Sequence, residues 1–508
     1  MKSSAIKLAV VLAPFLAVVS AIYPPNTSVS SYENNNSALA TLDDDLKQLC
    51  QCVETFGRPA PLLDPTILPI DVSLENNTKC KYKPDCPDPN GCCQPCFDCF
   101  GWQLFIALNW PSKGPGEPDP AKAFGTPGDY ENVVWQTYKN ALDVFGETPP
   151  TAWGKKSEYR LQLNSAVLID TFLEADLQSD NNWLTDQDGE VVRYEIRMNA
   201  DEFHYIIKND LWHQEGIYNA VKDGPGIDLP AQKSEFGNVG AIETKAAWRI
   251  IPEGRRAYFE QNYKVAHASV YDPVTKRRQP RDVALVGLHI IKKTPNSPQW
   301  VWATFEHKDN VPVEGDPGTG KQWNFFDPNA PSDYRPNWDH PPTSLTPRST
   351  KVQVVRVKQP NAEDGDVAKI NDAIHNLIKA RFPTSVWRNY DLISVQWPVD
   401  PMNPKPNPKL QKALPSGQPR PRVLANTTME SYQQSRWSDG GYGMGPGTAG
   451  DQGPEKLEPK NEPDRGKSSC IGCHRTAATT PPFANHPGQT WWTDYSSLFF
   501  KAKVKKTR

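Results

Sequence analysis

Methionine is scarce in this chain, five residues in 508, and none follows Met444. Long apolar runs are equally absent beyond the first two dozen positions, so nothing downstream reads as a membrane span. Charge of one sign is not in excess: 56 Lys and Arg stand against 59 Asp and Glu, a formal net charge of −3, which gives no reason to expect nucleic acid as a partner. No internal repeat marks a solenoid or propeller. What is present in quantity is proline, 50 residues, which favours loops and short strands over long helices. With 16 Trp, 17 Tyr and 18 Phe the chain can build a large core, either as two or three domains or as one large β-rich body.

The first residues read as an export signal. Lys2 and Lys7 precede an apolar core from Leu8 to Val19, which Pro14 interrupts, and Val19-Ser20-Ala21 offers small residues for cleavage. The mature chain is then expected to begin near Ile22, outside the cytoplasm, periplasmic or extracellular. Cysteine usage agrees with export. Eight of the ten cysteines crowd together, at Cys50, Cys52, Cys80, Cys86, Cys92, Cys93, Cys96 and Cys99. An even number in a short exported segment reads as disulfides of open connectivity. The alternative is Cys93-x-x-Cys96-x-x-Cys99 as three ligands of an iron–sulfur or zinc site, though the run lacks a fourth cysteine before proline. Sequons at Asn26, Asn35, Asn76 and Asn426 hint at a eukaryotic secretory route.

Patterning places the elements. Leu42, Leu46, Leu49 and Val53 recur at helical spacing behind Asp43, Asp44 and Asp45, predicting a short helix that carries Cys50 and Cys52. Trp102 to Pro111 reads as a buried helix ended by proline. From Ser165 to Val399 the signal is mainly β. Val192, Tyr194 and Ile196, and alternate positions in Ile242 to Ile250, predict half-buried strands. Asp186-Gln187-Asp188-Gly189 resembles part of a calcium loop but reads better as a turn. Val283 to Ile291, apolar on both faces, predicts a central strand. Thr294 to Pro298 predicts a loop, and Trp300 to Phe305 the antiparallel return. Ile370, Ala373, Ile374, Leu377 and Ile378 share one helical face, with Asp366 as cap and His375 turned to solvent. The organisation expected is therefore a signal peptide at 1–21, a mobile N-terminus and Cys-rich disulfide region at 22–99, a β-rich body at 100–437, a Gly/Pro-rich strap at 438–467, and a tail at 468–508. The fold class is α+β.

The tail carries the chemistry. Cys470-Ile471-Gly472-Cys473-His474 is a C-x-x-C-H signature for covalent haem c, one per chain: Cys470 and Cys473 form thioethers and His474 is the proximal iron ligand. An ordinary small cytochrome c domain supplies a methionine several dozen residues later. Here none remains, so the tail is no stand-alone cytochrome domain, and its haem must rest against the body. Distal candidates are Met429, Met444, His289, His307 and His486; a vacant sixth position is the other option. For His289, inside an apolar strand, the alternative is a core histidine bonded to backbone. Pro481, Pro482, Phe483, Trp491, Trp492, Phe499 and Phe500 offer apolar cover. The basic end, Lys501, Lys503, Lys505, Lys506 and Arg508, reads as a solvated terminus, with docking of an acidic redox partner as the alternative.

Trp102 to Pro111, Gly287-Leu288-His289-Ile290, Trp302-Ala303-Thr304-Phe305-Glu306, Leu424-Ala425-Asn426-Thr427 and Ser468 to His474 together resemble a group of exported monohaem "cytochrome c family" proteins, mostly bacterial and poorly characterised, with a single C-x-x-C-H near the C-terminus. The resemblance covers most of the chain beyond Phe97. It implies that Cys470, Cys473 and His474 hold haem, and it implies no established substrate. The expected function is single-electron transfer to a redox partner protein or small oxidant. Two alternatives stand beside it: a haem enzyme acting on peroxide or oxygen at five-coordinate iron, and a haem-free secreted binding protein stapled by disulfides. The dense cysteines before Phe100 and the sequons depart from the group's pattern. Entry into the endoplasmic reticulum would leave Cys470 and Cys473 as a disulfide instead.

Overall fold

The structure is a computed structural model that describes residues 50, 53–54, 63–72, 94–154, 161–163, 184–222, 224–272, 277–331, 336–337, 352–357, 365–398, 419–421, 424–431, 434, 470–475, 477–479 and 491–506. All of them belong to one compact unit, Leu42–Arg508. The expected signal peptide, the 438–467 strap, Met444 and His486 lie outside the described residues.

In chain order the elements that position the tail are helix α1 (Gln94–Leu108), strands β1 (Lys139–Asn140), β2 (Leu161–Leu163) and β3 (Arg193–Met198), helices α2 (Ala200–Lys208) and α3 (Gln214–Lys222), strands β4 (Ile242–Ile250), β5 (Val265–Asp272), β6 (Arg277–Thr294) and β7 (Ser297–His307), helix α4 (Gly365–Arg381), strands β8 (Tyr390–Pro398) and β9 (Pro419–Arg420), and the short helix α5 (Cys470–His474). The nine strands make one sheet in the order β9-β8-β7-β6-β4-β3-β1, with β5 pairing the outer half of β6 and β2 joining β5 in parallel. All other pairings are antiparallel. A large antiparallel sheet with a few helices is an α+β fold.

The central strand and its return fall where the apolar pattern predicts, with Ile291 opposite Trp302. The predicted loop is shorter than expected. Thr294 pairs with Ser297, which leaves Pro295-Asn296 as a two-residue turn. The half-buried strands require a larger correction. In β3 and β4 the charged positions are inside too: Arg193, Glu195 and Arg197 are all buried. Arg197 pairs with Glu195 at 2.7 Å, Trp248 donates its indole N–H to the same carboxylate at 2.9 Å, and Arg193 donates to Val191 O at 3.1 Å. Alternation here separates two buried faces rather than core from water. The Asp186 to Gly189 segment is a turn, as expected: Asp186 Oδ1 accepts from Asp188 N and Glu190 N, both at 2.9 Å, and Arg249 pairs with the other carboxylate oxygen.

Helix α1 covers one face of the sheet. It starts eight residues before the predicted stretch, so it takes Cys96 and Cys99 out of the cysteine-rich segment and into the body. Cys99 is disulfide-bonded to Cys50, and Cys96 is also in a disulfide, which removes both from a metal site. Val53 lies in a short strand, Val53–Glu54, and not in the helix its spacing suggested. Pro95 in the first turn of α1 sacrifices no helical N–H. At the other end the Asn109 amide caps Phe105 O at 2.9 Å, and Pro111 forbids continuation. Between them Phe97, Phe100, Trp102, Leu104, Phe105, Ile106 and Leu108 are fully buried, each contributing about 1.5–3 kcal/mol of apolar transfer. Gly101 permits the close approach, since a Cβ there would stand 2.6 Å from Val395. Helix α4 flanks α1 with Ile370, Ile374, Leu377 and Ile378 buried. It begins at Gly365, which puts Asp366 inside the helix. His375 is not solvent-facing: its ring packs edge-on to Trp102 and its Nε2 bonds Tyr390 O at 2.8 Å.

The other face of the sheet is polar at its centre. Lys245, His289, Thr304 and Ser394 sit directly opposite one another across β4, β6, β7 and β8. Over this row lies the 424–431 turn. Glu306 holds it, accepting from Thr427 N at 2.7 Å and from the Thr427 hydroxyl, and Gly287 makes room: a Cβ there would stand 2.1 Å from Thr428 Oγ1. Replacing Gly287 by Ala is expected to lift this turn and cost about 1–3 kcal/mol in chemical denaturation; an unchanged midpoint would show that the turn does not seat on the strand.

Candidate functional site

The C-x-x-C-H motif folds as helix α5, Cys470–His474, against the polar face. A helix places Cys470 and Cys473, three residues apart, on neighbouring turns of one side. Neither is in a disulfide. Ile471 is fully buried in a cluster with Ile291, Trp300, Trp302, Tyr495, Leu498 and Phe499, and Ile471 N donates to Gln396 Oε1 at 2.8 Å. Cys470 packs against the same cluster, whereas Cys473 is exposed. Burial, the Glu430 carboxylate and the neighbouring Cys473 push the Cys470 thiol well above its ordinary range. A thiolate is disfavoured at that sulfur. A neutral thioether is not.

His474 lies against Trp302, ring centroids 4.4 Å apart, and its Nδ1 is 2.8 Å from Tyr495 O. A carbonyl can only accept, so Nδ1 carries the proton and Nε2 the lone pair. That division is what a metal-binding histidine needs. Burial lowers its pKa to about 4, the Tyr495 carbonyl opposes this, and Lys245 and His289 depress it further, so the ring is neutral at neutral pH. These features fit haem: two sulfurs on one helical side, a neutral imidazole oriented through its far nitrogen, and an apolar floor.

The carbonyl is aimed by a tight turn. Asp494 and Tyr495 both adopt left-handed backbone, φ 53° and 66°, a conformation that costs side-chain-bearing residues of order 1 kcal/mol each. The turn is held from three sides. Lys293 pairs with Asp494 Oδ2 at 2.6 Å, Leu229 N donates to the same oxygen at 2.7 Å, and the Trp300 indole donates to Asp494 O at 3.0 Å. Beyond the turn Lys503, Lys505 and Lys506 are exposed, as a solvated end requires, but Lys501 is buried and the backbone is tied down. Gln214 N donates to Lys503 O at 3.0 Å, and Lys506 N to Glu147 O at 2.9 Å.

The distal candidates separate. His289 is half-buried, with Nδ1 2.7 Å from Thr304 Oγ1 and Nε2 3.1 Å from Glu430 Oε1. Asn426 Nδ2 in turn donates to Thr304 Oγ1 at 3.0 Å. His289 is thus satisfied by side chains, not backbone, and both ring nitrogens are engaged. Burial pulls Glu430 upward, but His289, Lys245 and the Asn426 N–H outweigh it and hold the carboxylate below its usual range. His307 stacks on Tyr263 at 3.6 Å, its Nε2–H bonding Asn262 O and its Nδ1 accepting from Asp309 N; it is a packed core histidine and not a pocket wall. Met429 is fully buried in a different cluster, with Tyr194, Ala247 and Val286. Asn426 has no exposed surface, so in this fold its sequon offers no glycan acceptor. Sequence reasoning missed Glu430, Gln396, Thr304 and the Tyr495 carbonyl. No local pattern marks them, because each matters only through a neighbour far away in the chain.

No protein-family model, curated protein or solved structure matches the chain. Among the described residues no helix is long and apolar enough to cross a membrane.

Asp494→Ala leaves the buried Lys293 ammonium with the exposed Asp228 alone, and relaxes the turn. We expect a loss of about 3–5 kcal/mol together with faster proteolytic release of the tail; a variant as stable and as protease-resistant as the parent would show that the pair does not anchor it.

Proposed function

We propose that this chain is an exported c-type monohaem protein that exchanges single electrons, with haem attached to Cys470 and Cys473 and its iron bound by His474 Nε2. The observation that carries the reading is the His474 Nδ1–H···O=C Tyr495 bond beside two cysteines outside any disulfide. It assigns the tautomer before any metal arrives. Bound there, haem c supplies a one-electron iron couple. The chain's own residues do the rest. Trp302 and Ile471 give the ring an apolar surface that limits water, the 493–496 turn fixes the imidazole plane, and Gln396 pins the first turn of α5. Export is part of the same reading, since covalent haem attachment needs a maturation apparatus found in the bacterial periplasm or in mitochondria.

A second reading, peroxide or oxygen chemistry at five-coordinate iron, is favoured by one observation. His289 is hydrogen-bonded to Glu430 on the side of the sheet that receives α5, close enough that each alters the charge state of the motif's residues. Such a pair can pass a proton. A ferric spectrum that is high-spin and responds to cyanide supports the enzyme; a low-spin spectrum indifferent to cyanide supports the carrier.

Natively produced protein should show an intact mass raised by one haem and stain for haem after denaturation. Cys470→Ser with Cys473→Ser should abolish covalent staining, whereas His474→Ala should keep the covalent mass and change the visible spectrum. A bare polypeptide mass would reject the proposal in favour of a haem-free secreted binding protein.

A further inference from the structure

Two glutamates lie buried beneath the tail without the partners that buried carboxylates ordinarily have. Glu202 is the third residue of α2, held in place by the Asn199 cap, and has no exposed surface. Glu243 is the second residue of β4 and is also buried. Neither oxygen of Glu202 nor Oε1 of Glu243 meets an N–H or hydroxyl donor among the described residues, which leaves the two carboxyls to hydrogen-bond each other through a shared proton. The groups facing them come from four directions. Glu202 and Glu243 face each other, the Ser496 hydroxyl donates to Glu243, Asp494 adds a negative charge from the tail, and Lys293 adds a positive one from β6 that is shared between Asp494 and Asp228. Two carboxylates in one dry site cannot both be charged, so the pair retains a proton.

Its position ties it to the motif. Glu243 is directly opposite Ile291, and Ile291 is directly opposite Trp302, whose ring contacts His474. Two strand spacings put the Glu243 backbone about 10 Å from that of Trp302. A second connection runs through consecutive residues: the Tyr495 carbonyl accepts the His474 Nδ1–H bond, and Ser496 bonds Glu243. At such separations in a protein interior, one unit of charge changes a neighbour's proton affinity by about tenfold.

We propose that Glu202 and Glu243 form a haem-linked proton site: when the iron accepts one electron from a one-electron donor, the pair accepts one proton from solvent, and it returns that proton on oxidation. The inference rests on the haem reading given above. The balance is simple. Ferric iron becomes ferrous, a Glu243 carboxylate oxygen gains an O–H bond, and the net charge of the buried region is unchanged. Burial, together with Asp494, raises Glu243 to about 7 although Ser496 and Glu202 oppose the shift, which sets the site to work near neutrality.

The test is spectroelectrochemical titration of the native haem-loaded protein at an electrode across pH. In the parent the ferrous-to-ferric ratio at fixed potential should fall by about tenfold in all as pH rises from about 5 to about 9, most steeply around pH 7 at about threefold per unit, and in Glu243→Gln the dependence should flatten. Glu202→Gln serves as a second variant should the first not fold. A reading independent of iron comes from melting the haem-free chain. Because folding raises the proton affinity of Glu243 above that of an unfolded glutamate, its stabilisation is full below about pH 4.5 and is lost as pH rises towards about 7. Glu243→Gln should remove that slope. A pH-independent potential in haem-loaded protein, or a slope that survives both Gln variants, overturns the proton site and leaves the carrier reading intact. A chain that does not stain for haem overturns both.

Discussion

A buried polar stripe cannot be left uncovered by groups of the wrong kind. Lys245, His289, Thr304 and Ser394 cross the middle of the sheet where apolar residues would be the ordinary choice, and an unpaired polar group there costs about 1–3 kcal/mol. The stripe therefore selects its cover. The 424–431 turn answers it with Asn426 and Glu430, and helix α5 settles on the apolar ground beside it, over Trp302 and Gln396. The opposite face, built from Ala303, Phe305 and Val395, takes the largely apolar helix α1, whose Gln94 and Asp98 bond the β8 backbone at Val395. One sheet thus carries two different interfaces, and the difference between them directs the tail to one side.

The same constraint explains why so many ionisable groups are inside. Lys293 with Asp494, Arg197 with Glu195 and Arg249 with Asp186 are buried as pairs, each charge meeting an opposite one at hydrogen-bond distance. Lys264 and Lys292 are buried against backbone carbonyls instead, and Glu202 and Glu243 are two like groups that face each other. Buried groups left this way in a packed core are a departure that asks for a reason, and their place beneath the tail supplies one.

Of the segments that resemble monohaem proteins, Trp102 to Pro111 lies on the α1 face, and the others, far apart in the chain, come together on the polar face. Gly287, His289, Thr304, Glu306, Asn426 and Thr427 form one hydrogen-bonded patch, and α5 lies next to it. Shared physical duty links them: a glycine that admits a turn, a carboxylate that anchors it, and a polar row that the turn satisfies. This holds independently of what the C-x-x-C-H motif binds.

Local chemistry alone determined the central strand with its antiparallel return, the helix stopped by Pro111 and the Asp186 turn, since each depends on spacing or on residues within a few positions. Burial on both faces of β3 and β4 was not legible, because alternation looks the same whether the second face meets water or another layer. The fates of the three histidines likewise required the fold: His289 faces Glu430 141 residues away, His307 stacks on Tyr263, and His375 is drawn in by Trp102. The tautomer of His474, the anchoring of its turn by Lys293 and the unpaired carboxyl pair are products of long-range packing, where distance in space, and not order along the chain, sets the energy.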